Sequence, residues 1–418
     1  MLIEFTIQNF RSIRETLTVS MLPSAKVKER FYPLHKTEYK DLSLLQTAVF
    51  YGKNNAGKSN ILKAFAVFRW LVNTSNDLAI DKKIQANEYF LFNKESINQP
   101  TYFEIDFIGE NTIRYLYRVI FDNSIIEESA YFYKLDIDRQ QPTKLFERKK
   151  GKPIDFGEEH KGAKKSLEKD LGSNQLFLSK ASKNNPNEHL AAMYSFFQKI
   201  EFISFDSNYE EHVFNKKAIE IVSAKPEYTQ RIGSLLNDFD TGIVSINIKI
   251  NTEDQFKFPN TISDEIKKKI IEDLKHSIQT EHRFFDVKNE LESIFTPLEI
   301  ESVGTQKLFS LLAVVLDAID NKKLLIIDEL DKSLHTYWTN YIIKILYEEL
   351  DSQLLFATHD SNLIDLPIFE KDQIYTVDKN YYGETEILSL ADFTGIKKND
   401  SLEKMYLAGK FGSIPSIK

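Results

Sequence analysis

The sequence predicts an α/β fold with a parallel core sheet, an antiparallel β-meander lobe and a mostly helical insert. Residues 323–327 and 354–358 contain the unbroken apolar runs LLII and LLFA, which are typical of strands buried on both faces of a parallel sheet. Residues 101–146 alternate between apolar and polar side chains and are interrupted by turn residues, which predicts antiparallel hairpins whose aromatic residues form core contacts. We therefore expect three segments, 1–146, 147–300 and 301–418.

Within the middle segment, 147–300, residues 186–300 give the weakest pattern. Isoleucines or leucine recur at four-residue intervals from Ile262 to Ile278, and this spacing predicts a helix over residues 262–279. Residues 144–169 are rich in lysine, so we expect a solvated surface excursion, with contact to a phosphate backbone as the alternative. The segment is therefore expected to be helical or mixed, and to contact a partner or DNA.

Composition restricts the class of protein. The 418 residues are 42% apolar and 28% charged, and no apolar run approaches the roughly 18 residues that span a membrane. The opening residues alternate and include Glu4, which predicts a strand and not a signal peptide. Without cysteine, disulfides and thiolate sites are excluded and a cytoplasmic location is expected. The net charge of −8 argues against non-specific nucleic-acid binding over the whole surface.

Residues 52–59, GKNNAGKS, have the pattern G-x-x-x-x-G-K-S between an apolar strand and an apolar-striped helix. Backbone N–H groups of such a loop and the N-terminus of the helix attract phosphates. Lys58 is expected to reach the β- and γ-phosphates of a bound nucleoside triphosphate and to assist catalysis, and Ser59 to bind Mg²⁺. The predicted nucleotide-binding residues of this stretch are Gly52, Asn54, Asn55, Ala56, Gly57, Lys58, Ser59 and Asn60.

Polar residues follow both buried runs. Asp328 and Glu329 follow the first, and His359 follows the second, at the strand ends where α/β sheets bind ligands. Asp328 fits a Mg²⁺ ligand, Glu329 fits the general base that deprotonates water, and His359 fits a hydrogen bond to the γ-phosphate. The alternatives are that the carboxylates cap the next helix and that His359 is structural.

Two more stretches have the residue types of an anion site. Arg11 and Ser12 lie in a turn between strands, where a phosphate contact and a plain surface turn are both open. Ser302 and Gly304 precede an apolar helix, residues 308–319, whose N-terminus favours an anion. Since Lys58 already serves one phosphate site, the economical interpretation is that Ser302 and Gly304 contact the γ-phosphate bound by a second subunit.

In chain order, five motifs resemble the ABC-type ATPases of the SMC/RecF/OLD-like branch. They are residues 9–12 (NFRS), 52–59, 301–307 (ESVGTQK), 324–335 (LLIIDELDKSLH) and 357–360 (ATHD). The ESVGT residues and residues 406–415 further resemble the stand-alone AAA-labelled ATPases of abortive-infection and restriction-linked loci, the AbiLi/RloA type.

The resemblance implies an ABC-type P-loop ATPase head that uses ATP and Mg²⁺ and forms an ATP-sandwiched homodimer or higher oligomer. Residues 1–146 would be its first lobe and residues 301–418 its second, with Asp331 in a loop that crosses the dimer interface. A glutamine loop is implied as well, and Gln175 and Gln85 are its candidates.

The function implied by the resemblance is an ATPase that senses infection and controls a separately encoded, nuclease-like toxic effector in bacterial anti-phage defence. DNA or a phage protein would be the trigger, and no membrane partner is expected. The alternative is a RecF- or SMC-like DNA-repair ATPase. Without a long coiled coil between Lys58 and Gly304, SMC-type tethering is not expected, and the stretch after His359 is too short for a fused nuclease domain.

Overall fold

The computed structural model describes residues 1–39, 41–80, 82–135, 141–160, 165–183, 187–205, 207–256, 258–259, 261–285, 291–332, 334–396 and 400–412. The chain forms two compact units. Unit 1 consists of Met1–Ile203, Lys322–Leu330 and Asp351–Lys418, and unit 2 consists of Ser204–Asn321 and Asp331–Leu350. Within the described part of the chain, no helix combines the length and the apolar character that crossing a bilayer requires.

In chain order, the strands of the described residues are β1 (Leu2–Gln8), β2 (Leu17–Ser20), β3 (His35–Lys36), β4 (Ser43–Leu44), β5 (Thr47–Tyr51), β6 (Thr101–Ile108), β7 (Arg114–Phe121), β8 (Ile125–Tyr133), β9 (Thr143–Lys149), β10 (Asp155–Phe156), β11 (Ile200–Ile203), β12 (Ile243–Ile250), β13 (His276–Phe285), β14 (Leu291–Pro297), β15 (Leu324–Ile327), β16 (Leu354–Ala357), β17 (Ile374–Lys379) and β18 (Thr385–Ser389).

The α-helices of the same residues are α1 (Lys58–Thr74), α2 (Lys165–Lys169), α3 (Phe177–Lys183), α4 (Glu188–Gln198), α5 (Asn208–Ala224), α6 (Tyr228–Asp238), α7 (Asp264–Asp273), α8 (Val303–Asp320), α9 (Thr336–Glu349) and α10 (Leu402–Leu407).

The core sheet of unit 1 has the strand order β11-β15-β16-β5-β17-β18. Every neighbouring pair is parallel except β17 and β18, which are antiparallel. All residues of β5, β15 and β16 are buried, as their unbroken apolar composition predicts for strands covered on both faces. The predicted α/β fold with a parallel core sheet is therefore confirmed, and the polar residues after these three strands lie at one edge.

The second sheet of unit 1 is antiparallel throughout, with the order β10-β9-β8-β7-β6-β1-β2. Helix α1 packs its aromatic face on this sheet: the rings of Phe65 and Phe5 lie 4.0 Å apart, and those of Phe68 and Tyr117 stack at 5.6 Å. The same buried cluster includes residues of β5, β15 and β16, so one apolar core joins α1 to both sheets. Most of the meander aromatics are buried core residues, as predicted, and Tyr102, Tyr131 and Tyr133 are half-buried.

Unit 2 contains helices α5 to α9 and one sheet, β12-β13-β14, whose strands are antiparallel. Helix α8 is apolar on most of its circumference and is buried almost throughout, with α5, α6 and α9 packed against it. The helix predicted over residues 262–279 is wrong in its second half. Helix α7 ends at Asp273, and from His276 the chain is strand β13, in which Ile278 faces the core.

The segment 147–300 contains more strand than the sequence pattern predicts. Besides helices α2 to α7, it includes β10, β11, β12, β13 and β14, and β11 is an edge strand of the core sheet. The lysine-rich stretch, predicted as a surface excursion, begins inside β9, and its residues 161–164 lie outside the described residues.

Candidate functional site

The phosphate loop connects β5 to α1 at the carboxyl edge of the core sheet. Two of its residues have left-handed backbone, Asn55 with φ 64° and Gly57 with φ 113°. Glycine adopts that conformation without the steric cost that a side chain adds. Gly57 is the residue before α1, and its carbonyl accepts a hydrogen bond from Ile61 N at 3.1 Å. The loop therefore turns sharply and presents the N-terminus of α1 at the strand ends.

Lys58 joins the loop to the end of β16. Its side chain is 5% exposed, and Nζ donates to the Gly52 carbonyl at 2.7 Å. Nζ also lies 3.3 Å from His359 Nε2. Because an ammonium group only donates, this contact requires Nε2 to be the acceptor and the His359 proton to lie on Nδ1. Two residues that the sequence marks as candidates, 301 positions apart, are thus brought together.

Asp328 and Glu329 follow β15, the neighbour of β16. Asp328 is fully buried, and its N–H donates to Ile203 O at 2.8 Å. Glu329 is partly exposed and has φ 56°, a left-handed conformation that is uncommon for residues other than glycine and that concentrates at functional sites. Leu330 N donates to Ala357 O at 3.2 Å, which ties this turn to the end of β16.

The donor types at this edge fit a nucleotide with Mg²⁺. Ser59 lies in the first turn of α1, and Asp328 supplies a buried carboxylate. Hydroxyl and carboxylate oxygens are ligands that Mg²⁺ accepts alongside phosphate oxygens. Backbone N–H groups at the start of α1 and the Lys58 ammonium group complement phosphate charge. The arrangement can therefore bind a polyphosphate and a divalent cation together.

Ser12 contacts the phosphate loop through a residue that no motif identifies, Thr385 of β18. Asn60 Nδ2 donates to Ser12 Oγ at 2.7 Å, and Ser12 Oγ lies 2.7 Å from Thr385 Oγ1. Thr385 Oγ1 donates to Ala56 O at 3.0 Å. Since each hydroxyl has one proton, Ser12 must be the donor to Thr385. The result is a directed series of hydrogen bonds, Asn60 to Ser12 to Thr385 to Ala56, whose last two bonds are buried.

Arg11 pairs mainly with the carboxylate of Glu88. Its Nε lies 2.7 Å from Glu88 Oε2, and its NH2 group donates to Glu88 Oε1 at 3.0 Å. A longer contact of 3.5 Å joins NH1 to Asn60 Oδ1. The structure thus places Arg11 beside α1, with most of its guanidinium directed at Glu88.

Both loop glycines are required by close approach of the hairpin formed by β17 and β18. A Cβ on Gly57 would lie 2.0 Å from Thr385 Oγ1, and one on Gly52 would lie 2.3 Å from Val377 O. The second contact is with backbone, which cannot rotate away. Any side chain at these two positions would therefore displace the loop from the hairpin.

The hairpin also contacts the loop through charged groups. Lys53 Nζ lies 2.6 Å from Asp378 Oδ1, and Lys379 Nζ donates to Asn55 Oδ1 at 3.0 Å. Burial lowers the pKa of Lys379. Sequence reasoning missed Asp378, Lys379 and Thr385, because nothing in their local pattern separates them from ordinary residues of an alternating strand.

Ser302, Gly304 and Asp331 belong to unit 2. Ser302 is the exposed N-cap of α8, and its Oγ accepts from Thr305 N at 3.1 Å. Gly304 lies in the first turn of α8. The segment after Asp331 is held by Lys307 of α8, whose Nζ donates to Lys332 O. Ser333 lies outside the described residues.

The two glutamine candidates differ in environment. Gln175 is buried and both ends of its amide are engaged: Nε2 donates to Asn76 O at 3.0 Å, and Oε1 accepts from Gly172 N at 2.9 Å. Gln85 is exposed. The C-terminal residues 413–415, part of the family resemblance, lie outside the described residues.

Structural comparison finds SMC head domains among the similar proteins. The SMC head bound to the C-winged helix domain of ScpA is 14% identical, with 97% of this chain and 99% of that chain covered and a TM-score of 0.45. The SMC head domain from Thermotoga maritima is 12% identical, with 93% and 98% covered and a TM-score of 0.39. The SMC head with an extended coiled coil bound to the C-terminal domain of ScpA, derived from Pyrococcus furiosus, is 13% identical, with 98% of each chain covered and a TM-score of 0.40.

No curated protein matches the sequence. Residues 48–365 match the family described as "AAA domain, putative AbiEii toxin, Type IV TA system". The matched stretch runs from β5 to the residues after His359 and so includes the phosphate loop, Ser302, Asp328 and Glu329. It extends over most of the chain, and the chain therefore belongs to this family of AAA domains.

Proposed function

We propose that the chain is a Mg²⁺-dependent ATPase that dimerises around ATP and uses hydrolysis to control a separately encoded, nuclease-like toxic effector in anti-phage defence. The observation that carries the proposal is the meeting of Lys58 with His359 at 3.3 Å, at the edge of the sheet where Asp328 and Glu329 follow β15. The family match supports the ATPase part of the proposal.

Lys58 is the residue that would change partners when ATP binds. Its contact with the neutral Gly52 carbonyl is weaker than one with a charged phosphate oxygen, so the ammonium group would transfer to the nucleotide. His359, released from Lys58, would then donate a hydrogen bond to the γ-phosphate, either from Nδ1–H or from Nε2 once that nitrogen carries a proton. Ser59 and Asp328 would hold Mg²⁺, which when bound neutralises charge on the β- and γ-phosphates. Glu329 would take the proton of the attacking water.

Dimer formation is proposed from Ser302 and Gly304. Ser302 is exposed at the start of α8, an 18-residue helix whose N-terminal N–H groups favour an anion. In the proposed dimer these residues of one copy contact the γ-phosphate held by the phosphate loop of the other, with Asp331 at the interface. ATP binding would then close the dimer and hydrolysis would reopen it.

A role in defence is supported by the family description, which names a putative toxin of a type IV toxin–antitoxin system. The separate effector, and infection as the trigger, follow from the resemblance to abortive-infection ATPases. The proposal predicts that protection from phage requires both this chain and a companion gene. Protection by the chain alone would contradict it.

The enzymatic part is tested by the variant Glu329→Gln with ATP and Mg²⁺. Loss of the general base should lower kcat by about 10²–10⁴-fold, while ATP binding and the ATP-dependent dimer persist. The matched control is Glu265→Gln, which makes the same change at an exposed position of α7. Phosphate release and size-exclusion chromatography give the two readouts. Unchanged turnover in Glu329→Gln would refute the role of Glu329.

The alternative DNA-repair function is not favoured by the lysine-rich stretch. Lys144 pairs with Asp155, and Lys149 lies 3.6 Å from Glu127. Arg148 donates to Gly172 O at 3.0 Å. These contacts neutralise or engage three of the cations that a DNA contact would use. ATP hydrolysis stimulated by DNA, with a steep dependence on salt, would favour the alternative.

A further inference from the structure

Glu301, the residue before Ser302, directs its side chain into the hairpin formed by β13 and β14. Its Oε1 accepts from Thr280 Oγ1 at 2.7 Å and from Thr296 Oγ1 at 3.4 Å, and lies 2.7 Å from His282 Nε2. Thr280 is fully buried, and the Glu301 side chain is 13% exposed. One carboxylate oxygen is therefore the shared acceptor of both strands of the hairpin.

The backbone of Glu301 is held by a residue of α8. Gln306, in the first turn of α8, donates from Nε2 to Glu301 O at 2.9 Å and to Glu299 O at 3.1 Å. Ser302 then caps α8 through Thr305 N. The carbonyl of Glu301 is thus fixed to α8 and its side chain to the hairpin, so Ser302 cannot change position without disturbing one of these contacts.

The negative charge of Glu301 matters for the neighbouring anion site. A carboxylate next to an N-terminal anion site would repel a phosphate if it faced the same side. Close contacts from Thr280 and His282, with a longer one from Thr296, hold the Glu301 carboxylate within the hairpin instead. Hydrogen bonds to an ionised acceptor are also stronger than neutral ones, which makes the link stiff.

We propose that Glu301 is a positioning residue, which sets the orientation of Ser302 and Gly304 by fixing the start of α8 to the β13–β14 hairpin. The inference rests on the proposed function, in which Ser302 and Gly304 contact the γ-phosphate of a second copy. Glu301 itself touches no nucleotide in this scheme. Its effect falls on closure of the dimer and on turnover, and ATP binding by the phosphate loop is independent of it.

The test compares Glu301→Ala with Glu299→Ala, which removes an exposed carboxylate two residues away. For Glu301→Ala we expect kcat to fall roughly tenfold or more, with ATP affinity within about twofold of the unchanged protein. The ATP-dependent dimer should weaken in parallel. Glu301→Gln retains an acceptor oxygen for Thr280 and should recover part of the lost activity. Steady-state hydrolysis, titration with a fluorescent ATP analogue and size-exclusion chromatography measure these effects.

Two controls keep the outcomes distinct. If Glu301→Ala turns over ATP like Glu299→Ala while Glu329→Gln is inactive, the positioning role is wrong and the proposed ATPase stands. If Glu329→Gln remains active, the proposed function itself fails. A loss of ATP affinity equal to the loss of kcat in Glu301→Ala would indicate general damage to the fold and would overturn the inference. Combining Glu301→Ala with His282→Ala should cost less than the sum of the single changes, because both remove the same contact.

Discussion

Thr385 contacts the phosphate loop through its hydroxyl group. Removing that hydroxyl tests whether the contact supports ATP binding. Thr385→Val keeps the size of the side chain, and so its packing against Gly57, while it deletes the proton donated to Ala56 O and the acceptor used by Ser12. Both partners are buried. The substitution therefore leaves a carbonyl and a hydroxyl without their partner and changes little else.

The expected loss of free energy in Thr385→Val follows from the two buried hydrogen bonds that it removes. At about 1 kcal/mol net for each, the loss is about 2 kcal/mol. If the cost falls on the loop geometry that binds phosphate, ATP affinity falls about 30-fold, since each 1.4 kcal/mol is a factor of about ten. Loss of affinity, with kcat at saturating ATP largely retained, is the expected pattern.

The control is Thr376→Val on the same hairpin. Thr376 is also buried, and its Oγ1 donates to Leu388 O at 3.3 Å, a partner on β18 that is not a loop residue. Titration with a fluorescent ATP analogue and thermal unfolding should be measured for both variants. The reasoning is refuted if Thr385→Val binds ATP as tightly as Thr376→Val, or if both lose affinity equally.

Two further predictions concern the loop and the antiparallel sheet. Gly57→Ala should lower ATP affinity more than Thr385→Val does, because its φ of 113° is strained for alanine and its Cβ would lie 2.0 Å from Thr385 Oγ1; tight ATP binding by this variant would contradict the geometry. Burial lowers the pKa of His189, whose Nδ1 lies 3.0 Å from Tyr115 OH. The folded protein therefore favours the neutral ring, so the contribution of His189 to stability is complete above the ordinary pKa of about 6.5 and is lost as the pH falls through the lowered value. His189→Gln should make the unfolding temperature less dependent on pH between about 7 and 5 than the exposed control His212→Gln, and an identical pH dependence in both variants would count against this assignment.

The phosphate loop and the strands that flank the site could be predicted because their signals are local. The pattern of residues 52–59 and the apolar runs before Asp328 and His359 each lie within ten residues. Burial on both faces requires only that every residue of such a run is apolar, so the positions of β15 and β16 followed directly. Their adjacency in one sheet then places the polar ends together.

The prediction of a helix over residues 262–279 was wrong because the apolar spacing fits a helix and a strand equally well. A spacing of four residues keeps side chains on one face of a helix, but four is also an even number, so the same residues share one face of a strand. Ile266 and Ile270 lie in α7, whereas Ile278 lies in β13. The spacing alone could not locate the boundary between them. The start of β13 is instead set by its pairing with β12, a contact between residues that are distant in sequence.

Thr385 could not be predicted for a different reason. It is one threonine in an alternating strand, and its importance arises only when β18 packs against a loop formed more than 300 residues earlier. Ser12 reaches the same place from the first turn of the chain. The conformation of Gly57 thus depends on both ends of unit 1, although the motif that contains it is eight residues long. A local sequence motif specifies which residues can bind phosphate, and contacts from the distant hairpin hold those residues in the geometry that binds it. The loop should accordingly be regarded as a product of the whole unit, and its affinity for ATP as sensitive to substitutions that touch no nucleotide.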